Sequence, residues 1–321
     1  MDINSSFQLG SVTFANRLVQ GPLAGFSCAP FRAMYALFQQ PAYCVSEMIS
    51  AQDLLCRQAP RFIYRAPIEQ RLAYQLSGDD PQIMAQAAHY LESIGADMID
   101  LNCGCPKAKI RKKGAGSALL DKPARLMEII TAVKSRINIP LTVKLRIQHS
   151  EQDVVLARAI ESAGADGVIV HGRSWQEDYD QPCDMQQIAL IKQNLRIPVI
   201  ANGDMTDKVS VQHMMNVTQC DAYMISRAGT GRPWLYQHLL HPDPLPMPNM
   251  AECIEYFMLH LNGLAQLEQE HRAILQSKTL VRYYFKPWIP RTELQDYYAL
   301  DSLRKIEQYL HIFMKRISDE Y

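Results

Sequence analysis

The chain has 321 residues, and 33 lysines and arginines balance 33 aspartates and glutamates to a formal net charge of zero. Hydrophobic residues make up 48% and charged residues 21%, the proportions of an ordinary globular protein, which excludes a disordered or fibrous chain. No run approaches the ~18 uninterrupted apolar residues of a membrane-spanning helix, and the start, MDINSSFQLG, lacks a basic stretch followed by an apolar one. A cytoplasmic protein is expected, with eight scattered cysteines as free thiols. At zero net charge, any nucleic-acid partner must be met by local basic patches.

Eight short apolar runs are predicted strands: 17–23, 42–49, 71–76, 97–102, 140–147, 166–171, 197–202 and 221–227. Amphipathic stretches lie between them. Asp80-Pro81 opens a helix that Gly95 closes, Lys122-Pro123 opens the next, Gly164 ends another, and Thr206-Asp207 reads as an N-cap. Strands alternating with helices over residues 1–240 predict a (β/α)8 TIM barrel. A doubly wound sheet would carry a GxGxxG fingerprint after its first strand, and that turn reads GPLAGFSCAP. Residues 241–249, HPDPLPMPN, hold four prolines in nine and read as a stiff linker. From 250 to 321, apolar residues at i, i+3, i+4 and i+7 predict a small helical bundle.

A barrel places its active site at the C-terminal ends of its strands. Polar residues gather there: Glu47, Gln75, Asn102, Lys144 and Arg146, His171 and Arg173, Asn202-Gly203-Asp204, and Ser226-Arg227. Each alone could be a cap or a solvated loop residue. Together at the ends of seven strands they exceed what packing needs. The glycines and the cation after the seventh and eighth strands suit a phosphate, and without a dinucleotide fingerprint that points to FMN or a sugar phosphate. Asn102-Cys103-Gly104-Cys105-Pro106 follows the fourth strand. Its cysteine spacing does not match a metal site. A thiol is mostly protonated at neutral pH and can deliver a proton, which singles out Cys105; Cys103 and the other six read as small buried residues.

Two basic patches could meet a polyanion. Lys107, Lys109, Arg111, Lys112 and Lys113 crowd the loop after Cys105. In the C-terminal region, Arg272, Lys278, Arg282, Lys286 and Arg291 interleave with Tyr283, Tyr284, Phe285 and Trp288, a mixture that suits unstacked RNA bases, although aromatics at helical spacing more often face a core.

The runs NCGCP, KKGAGSALL, TVKLR, IVHGR, PVIANGD and SRAGTGRPW, in this order, resemble the bacterial tRNA-dihydrouridine synthases, and SEMIS and GTGRPW resemble their B type most closely. The likeness runs from about Asn16 to Trp234 and is weaker in the helical region. It implies an FMN-dependent, NADPH-reduced enzyme that converts a uridine in the tRNA elbow, position 17 of the D-loop for the B type, to 5,6-dihydrouridine. By position, Cys105 matches the catalytic cysteine. Pro22, Leu23, Ala24, Gln75, Asn102, Lys144 and His171 match contacts around the flavin. Asn202, Gly203, Asp204, Ser226 and Arg227 match its phosphate loops. Arg146, Arg173, Lys107, Lys109, Arg111, Arg282 and Lys286 are the expected substrate and RNA contacts. No metal is implied, and a monomer is expected.

Three positions depart from the family pattern: GPLAG stands where APMAG or APMEG is usual, Ser226 where glycine is usual, and TVKLRIQ lacks the glycine that commonly follows its arginine. Ser226 falls where backbone approaches phosphate, so weaker FMN binding is expected. Two other readings stay open on the residues: an FMN barrel that reduces a small pyrimidine or enone, and a catalytically weak tRNA-binding scaffold.

Overall fold

The computed structural model describes residues 2–57 and 60–319. The alternating segment FQLGSVTF forms a hairpin that the sequence reading passed over, β1 (Phe7–Leu9) against β2 (Val12–Phe14), with Gly10 at φ +55° in its turn. The eight predicted strands follow as β3 (Leu18–Gln20), β4 (Tyr43–Ser50), β5 (Leu72–Ser77), β6 (Met98–Cys103), β7 (Leu141–Arg146), β8 (Gly167–His171), β9 (Val199–Asn202) and β10 (Ala222–Ile225). All pair in parallel, and β10 closes onto β3 to complete a TIM barrel.

Strand side chains alternate between the two faces, so one set fills the barrel and the other meets the helices. Val19, Val45, Ala73, Met98, Ile169, Ile200, Ala222 and Met224 form the inner cluster together with Phe7, Leu9 and Phe14 of the hairpin. The hairpin is thus a stopper for the N-terminal end, and the opposite end is left for chemistry. The outer strand faces pack on helices that begin and end where their caps dictate. Asp80 accepts the Ile83 amide at the start of the Pro81–Ser93 helix, and Gly95, at φ +95°, turns the chain after it. Asp207 and Ser210 form a reciprocal capping box on the Lys208–Thr218 helix.

After Leu240 the chain has no regular structure until Asn249 and Glu252 cap the Met250–Glu268 helix. The Glu270–Tyr284, Gln295–Tyr298 and Leu303–Asp319 helices complete the C-terminal region. These helices pack on the segment after β3 and on the end of the barrel: Phe31 lies 5.9 Å from His260, and Phe38 5.3 Å from Tyr256. Gly231, at φ +68°, lets the post-β10 loop reach the C-terminal helices, because a Cβ there would lie 2.7 Å from the Tyr284 nitrogen. Among the described residues no helix is long and apolar enough to cross a membrane.

The loops after β3 and β4 are joined by a buried ion pair. Arg32 donates to Glu69 at 2.5 and 3.1 Å, to the Ser27 carbonyl at 2.7 Å and to the Tyr64 carbonyl at 3.0 Å. Removing one partner of such a pair strands a charge in a low-dielectric interior. Glu69→Ala is expected to lower stability by about 3–5 kcal/mol, read as a lower urea midpoint; an unchanged midpoint would show that the pair is dispensable.

Candidate active site at the mouth of the barrel

The two-residue period that points Ala73, Met98, Ile169 and Ile200 inward also points Gln75, Asp100, Asn102, His171 and Asn202 inward, one or two steps nearer the C-terminal end. Parallel register sets Gln75 beside Asp100, Asn102 beside Lys144, Arg146 beside His171, and His171 beside Asn202. The predicted polar residues therefore converge on one floor.

Most of that floor is hydrogen-bonded. Thr142 Oγ1 and Gln75 Nε2 donate to the two oxygens of Asp100 at 2.6 and 2.7 Å. Asn102 Nδ2 donates to Gln75 Oε1 at 2.8 Å, and Asn102 Oδ1 accepts the Cys105 amide at 2.9 Å. Across the barrel, Lys144 Nζ donates to Asn202 Oδ1 at 2.8 Å, and Asn202 Nδ2 to the Met224 carbonyl at 2.8 Å. Burial raises the Asp100 carboxyl; burial and the neighbouring Arg146 charge lower the Lys144 ammonium. Burial, followed by Lys144, Arg146, Arg173 and Arg227, pushes His171 down to about 2, so its ring is neutral. Its buried Nδ1 has no hydrogen-bond partner among the described residues.

Cys105 stands half-buried at the rim. Its carbonyl accepts from the Ser117 amide at 3.1 Å and hydroxyl at 3.0 Å, which folds the basic loop back onto it. Gly116, at φ +64°, permits this, since a Cβ there would lie 2.8 Å from the Cys105 oxygen. Arg111 is drawn into the same fold: it donates to Ser117 Oγ at 2.9 Å and Asp121 at 2.8 Å, and lies 3.6 Å over the Trp175 ring. Lys107 and Lys109 are exposed. Of the other cysteines, Cys56 is exposed, against the expectation of burial, because it sits on the outer face of the short Ala51–Arg57 helix.

The loop after β8 covers one side of the mouth. Arg146 ties it to the Cys105 loop by donating to the Gly104 carbonyl at 3.0 Å and the Ser174 carbonyl at 2.8 Å. Arg173, read from the sequence as an RNA contact, is 1% exposed and donates to both Asp204 oxygens at 2.7 and 2.6 Å. The Tyr179 ring lies 3.6 Å from the Arg227 guanidinium. His149, at φ +53°, binds Glu177 at 2.8 Å and Asp184 at 3.2 Å, and both carboxylates raise its pKa. Trp175, Tyr179 and His149 were missed in the sequence because irregular loops carry no period; the only signal was two aromatics in the segment SWQEDY.

At the ends of β9 and β10 the backbone opens outward. Gly203 has φ +142° and Asp204 φ +47°. The Asp204 carboxylate is committed to Arg173 and to the Cys183 amide at 2.9 Å, so its charge is already compensated within the protein. Among the described residues, no acceptor pairs with the amides of Gly203, Asp204, Ser226 or Arg227. Two of the family departures meet here. A Cβ on Gly21 would collide with Ser226 Oγ and lie 2.9 Å from Met224 Cγ and Sδ, so the hydroxyl and that methionine share the space an alanine at 21 would fill.

Pro22, Leu23 and Ala24 lead out of β3 in a turn fastened by the Leu23 amide to Ser27 Oγ at 2.9 Å. β4 carries one extra residue between Val45 and Met48, a bulge in SEMIS that frees Glu47 to accept from the Gly25 amide and from Arg61 at 2.7 Å. Arg61 also pairs with Glu268 of the C-terminal helices. A cleft of about 450 Å³ lies between the two regions, lined by Ala24, Gly25, Glu47, Arg61, Glu268 and Arg272 among others. Farther along, Arg282 is half-buried and Lys286 exposed. Tyr284 and Phe285 are buried against Phe257, which removes two of the four expected base platforms. Among the described residues, no group of His, Cys, Asp and Glu could hold a metal ion.

Comparison with known proteins agrees with this geometry. The family model described as dihydrouridine synthase matches residues 18–311. The chain is 30% identical to tRNA-dihydrouridine synthase B of Proteus vulgaris over 96% of its length and 100% of that protein. It is 32% identical to the protein of that name from Shewanella oneidensis, over 94% of this chain and 96% of that one. Among solved structures, the old yellow enzyme homologue from Zymomonas mobilis superposes with a TM-score of 0.57 at 14% identity, covering 78% of this chain and 96% of that chain, a likeness of fold.

The contact between residues 21 and 226 yields a reciprocal prediction. Gly21→Ala alone, which forces Cβ and hydroxyl together, is expected to lower stability by about 1–3 kcal/mol. Adding Ser226→Gly, which removes the hydroxyl but not the Met224 contact at 2.9 Å, is expected to restore part of it. Thermal unfolding of the two single variants and the double variant checks this, and simple additivity would refute the coupling.

Proposed function

The chain belongs to the dihydrouridine synthase family, oxidoreductases that act on uridine in tRNA, and from that premise we propose that it reduces a D-loop uridine, position 17, with FMN as its resident cofactor and NADPH as reductant. The observation that carries this reading is the juxtaposition of a half-buried Cys105, pinned through its amide by Asn102, with a polar floor that contains an unpartnered neutral imidazole.

The residues present fit FMN. The unpaired Nδ1 of His171, the amides of Gln75 and Asn102 and the Lys144 ammonium supply polar groups for a flat heterocycle, with Pro22, Leu23 and Ala24 along its edge. The free amides of Gly203, Asp204, Ser226 and Arg227 suit its phosphate. Ser226 Oγ lies beside the Gly21 backbone, and its amide stays available. FMN, when bound, supplies a hydride to uracil C6.

The chain's own groups do the rest. Cys105 Sγ delivers the proton to C5, where negative charge develops as C6 is reduced, and is left as the thiolate. Lys144, held by Asn202, offsets negative charge at the floor. A uracil inside folded tRNA has to be turned out of its stack to reach the mouth. The exposed Lys107 and Lys109 on the Cys105 loop, and Arg282 and Lys286 of residues 250–321, serve the RNA backbone. A small pyrimidine would need none of these outer groups.

Anaerobic visible spectroscopy tests the reading: flavin bands should bleach with NADPH and recover on addition of unmodified tRNA. Cys105→Ala is expected to keep its flavin and its bleaching by NADPH, and to lose turnover on tRNA by about 10²–10⁴-fold, the usual worth of a positioned acid. Recovery with free uridine but not with tRNA would replace this reading with the small-pyrimidine one.

A further inference from the structure

Asp100 is fully buried on β6, one inward position below Asn102. An ionised carboxylate only accepts hydrogen bonds, whereas an amide side chain donates at one end and accepts at the other. With Asp100 accepting from Gln75 Nε2, the Gln75 oxygen has to face Asn102, and Asn102 Nδ2 donates to it. The Asn102 oxygen is then left facing the next loop. There it accepts from the amides of Cys105 at 2.9 Å and Gly104 at 3.3 Å. Reversing the chain at its buried end would set Asn102 Nδ2 against the Cys105 N–H, donor against donor. Direction imposed at Asp100 is therefore transmitted through two amides to the backbone of the cysteine.

We propose that Asp100 is a positioning residue: as a carboxylate it sets the direction of the Thr142–Asp100–Gln75–Asn102–Cys105 hydrogen-bond chain and so holds the Cys105 loop where the thiol meets its substrate. The proposal rests on the reading of Cys105 as proton donor. Asp100 acts through other residues and touches no reacting atom. The groups that face it are Thr142 and Lys144 from β7, Gln75 from β5 and Tyr43 from β4, while Cys103 on its own strand lies nearby on the opposite face. Burial keeps Tyr43 and Cys103 neutral, and Lys144 favours the ionised carboxylate. Because burial raises Asp100 itself, acidification protonates it, turns one oxygen into a donor and releases Gln75 to flip.

The test uses the full chain with its flavin. Hydrogen exchange at the Cys105 amide, measured without tRNA, is expected to quicken about fivefold in Asp100→Asn, the factor for one net hydrogen bond. The affinity for tRNA should stay as in the wild type. Reoxidation of the reduced flavin by tRNA should fall about a hundredfold, as for a misplaced catalytic group. It should also lose the acid limb of its pH profile. Thr142→Val, which removes one donor to the carboxylate, should move that limb to higher pH. Wild-type exchange and an unchanged pH profile in Asp100→Asn would overturn the proposal. If Asp100→Asn fails to fold, an unmoved limb in Thr142→Val overturns it instead. If tRNA does not reoxidise the wild-type flavin, the functional reading fails, while the exchange rate still judges Asp100.

Discussion

A polar side chain buried inside a parallel barrel has to find a partner there, and the mouth of this barrel is organised around that requirement. The strands' two-residue period carries Gln75, Asp100, Asn102, Thr142, Lys144 and Asn202 inward, where their donors and acceptors are met by one another. His171 Nδ1 is left out of this mutual satisfaction. In a low-dielectric enclosure such a network holds its members in fixed orientations, because any rotated amide loses two bonds at once. The same burial moves Asp100 and Lys144 toward their neutral forms, each opposed by the other's charge.

Order at the rim depends on the same floor. The Cys105 loop is gripped from below by Asn102, from the side by Arg146 through the Gly104 carbonyl, and from behind by Ser117. Arg146 also holds the loop after β8, so two loops from different strands share one guanidinium. Across the mouth, the β4 bulge delivers Glu47 to Arg61, which reaches Glu268. One strand irregularity thus links the floor to the C-terminal helices. A shift of the helices relative to the barrel has to break that pairing or carry the β4 loop along.

Much of this was legible in the sequence, and what was not has physical reasons. The eight barrel strands stood out because buried parallel strands are short apolar runs between strong caps such as Asp80-Pro81 and Gly95. The polar floor followed from where those runs end. The hairpin of β1 and β2 was present as the alternation FQLGSVTF but lies before the first βα unit, outside the period being followed. Asp100 looked like one more residue of a strand, because sequence shows its position but not its partners. Asp204 was matched to a phosphate loop by position, and position does not show that its carboxylate turns to Arg173 while its amide is left without a partner among the described residues. Tyr284 and Phe285 shared a basic segment with Tyr283, and only the helix's rotation decided that those two face the core.

The neutral composition and the basic rim are reconciled by where each kind of cation is used. Arg32, Arg61, Arg111 and Arg173 are paired with Glu69, Glu47, Asp121 and Asp204, and Arg146 is spent on two carbonyls. The planar five-donor guanidinium suits such fixed, partly buried pairing, whereas a lysine ammonium on its flexible stem suits a solvated phosphate. Each internal pair cancels in the total and adds little field at the surface. Lys107, Lys109, Lys112 and Lys113 stay exposed on the Cys105 loop, so positive potential concentrates beside the mouth although the whole chain sums to zero. A polyanion responds to that local potential, and the number of those lysines it engages, not the net charge, sets how steeply its binding weakens with salt.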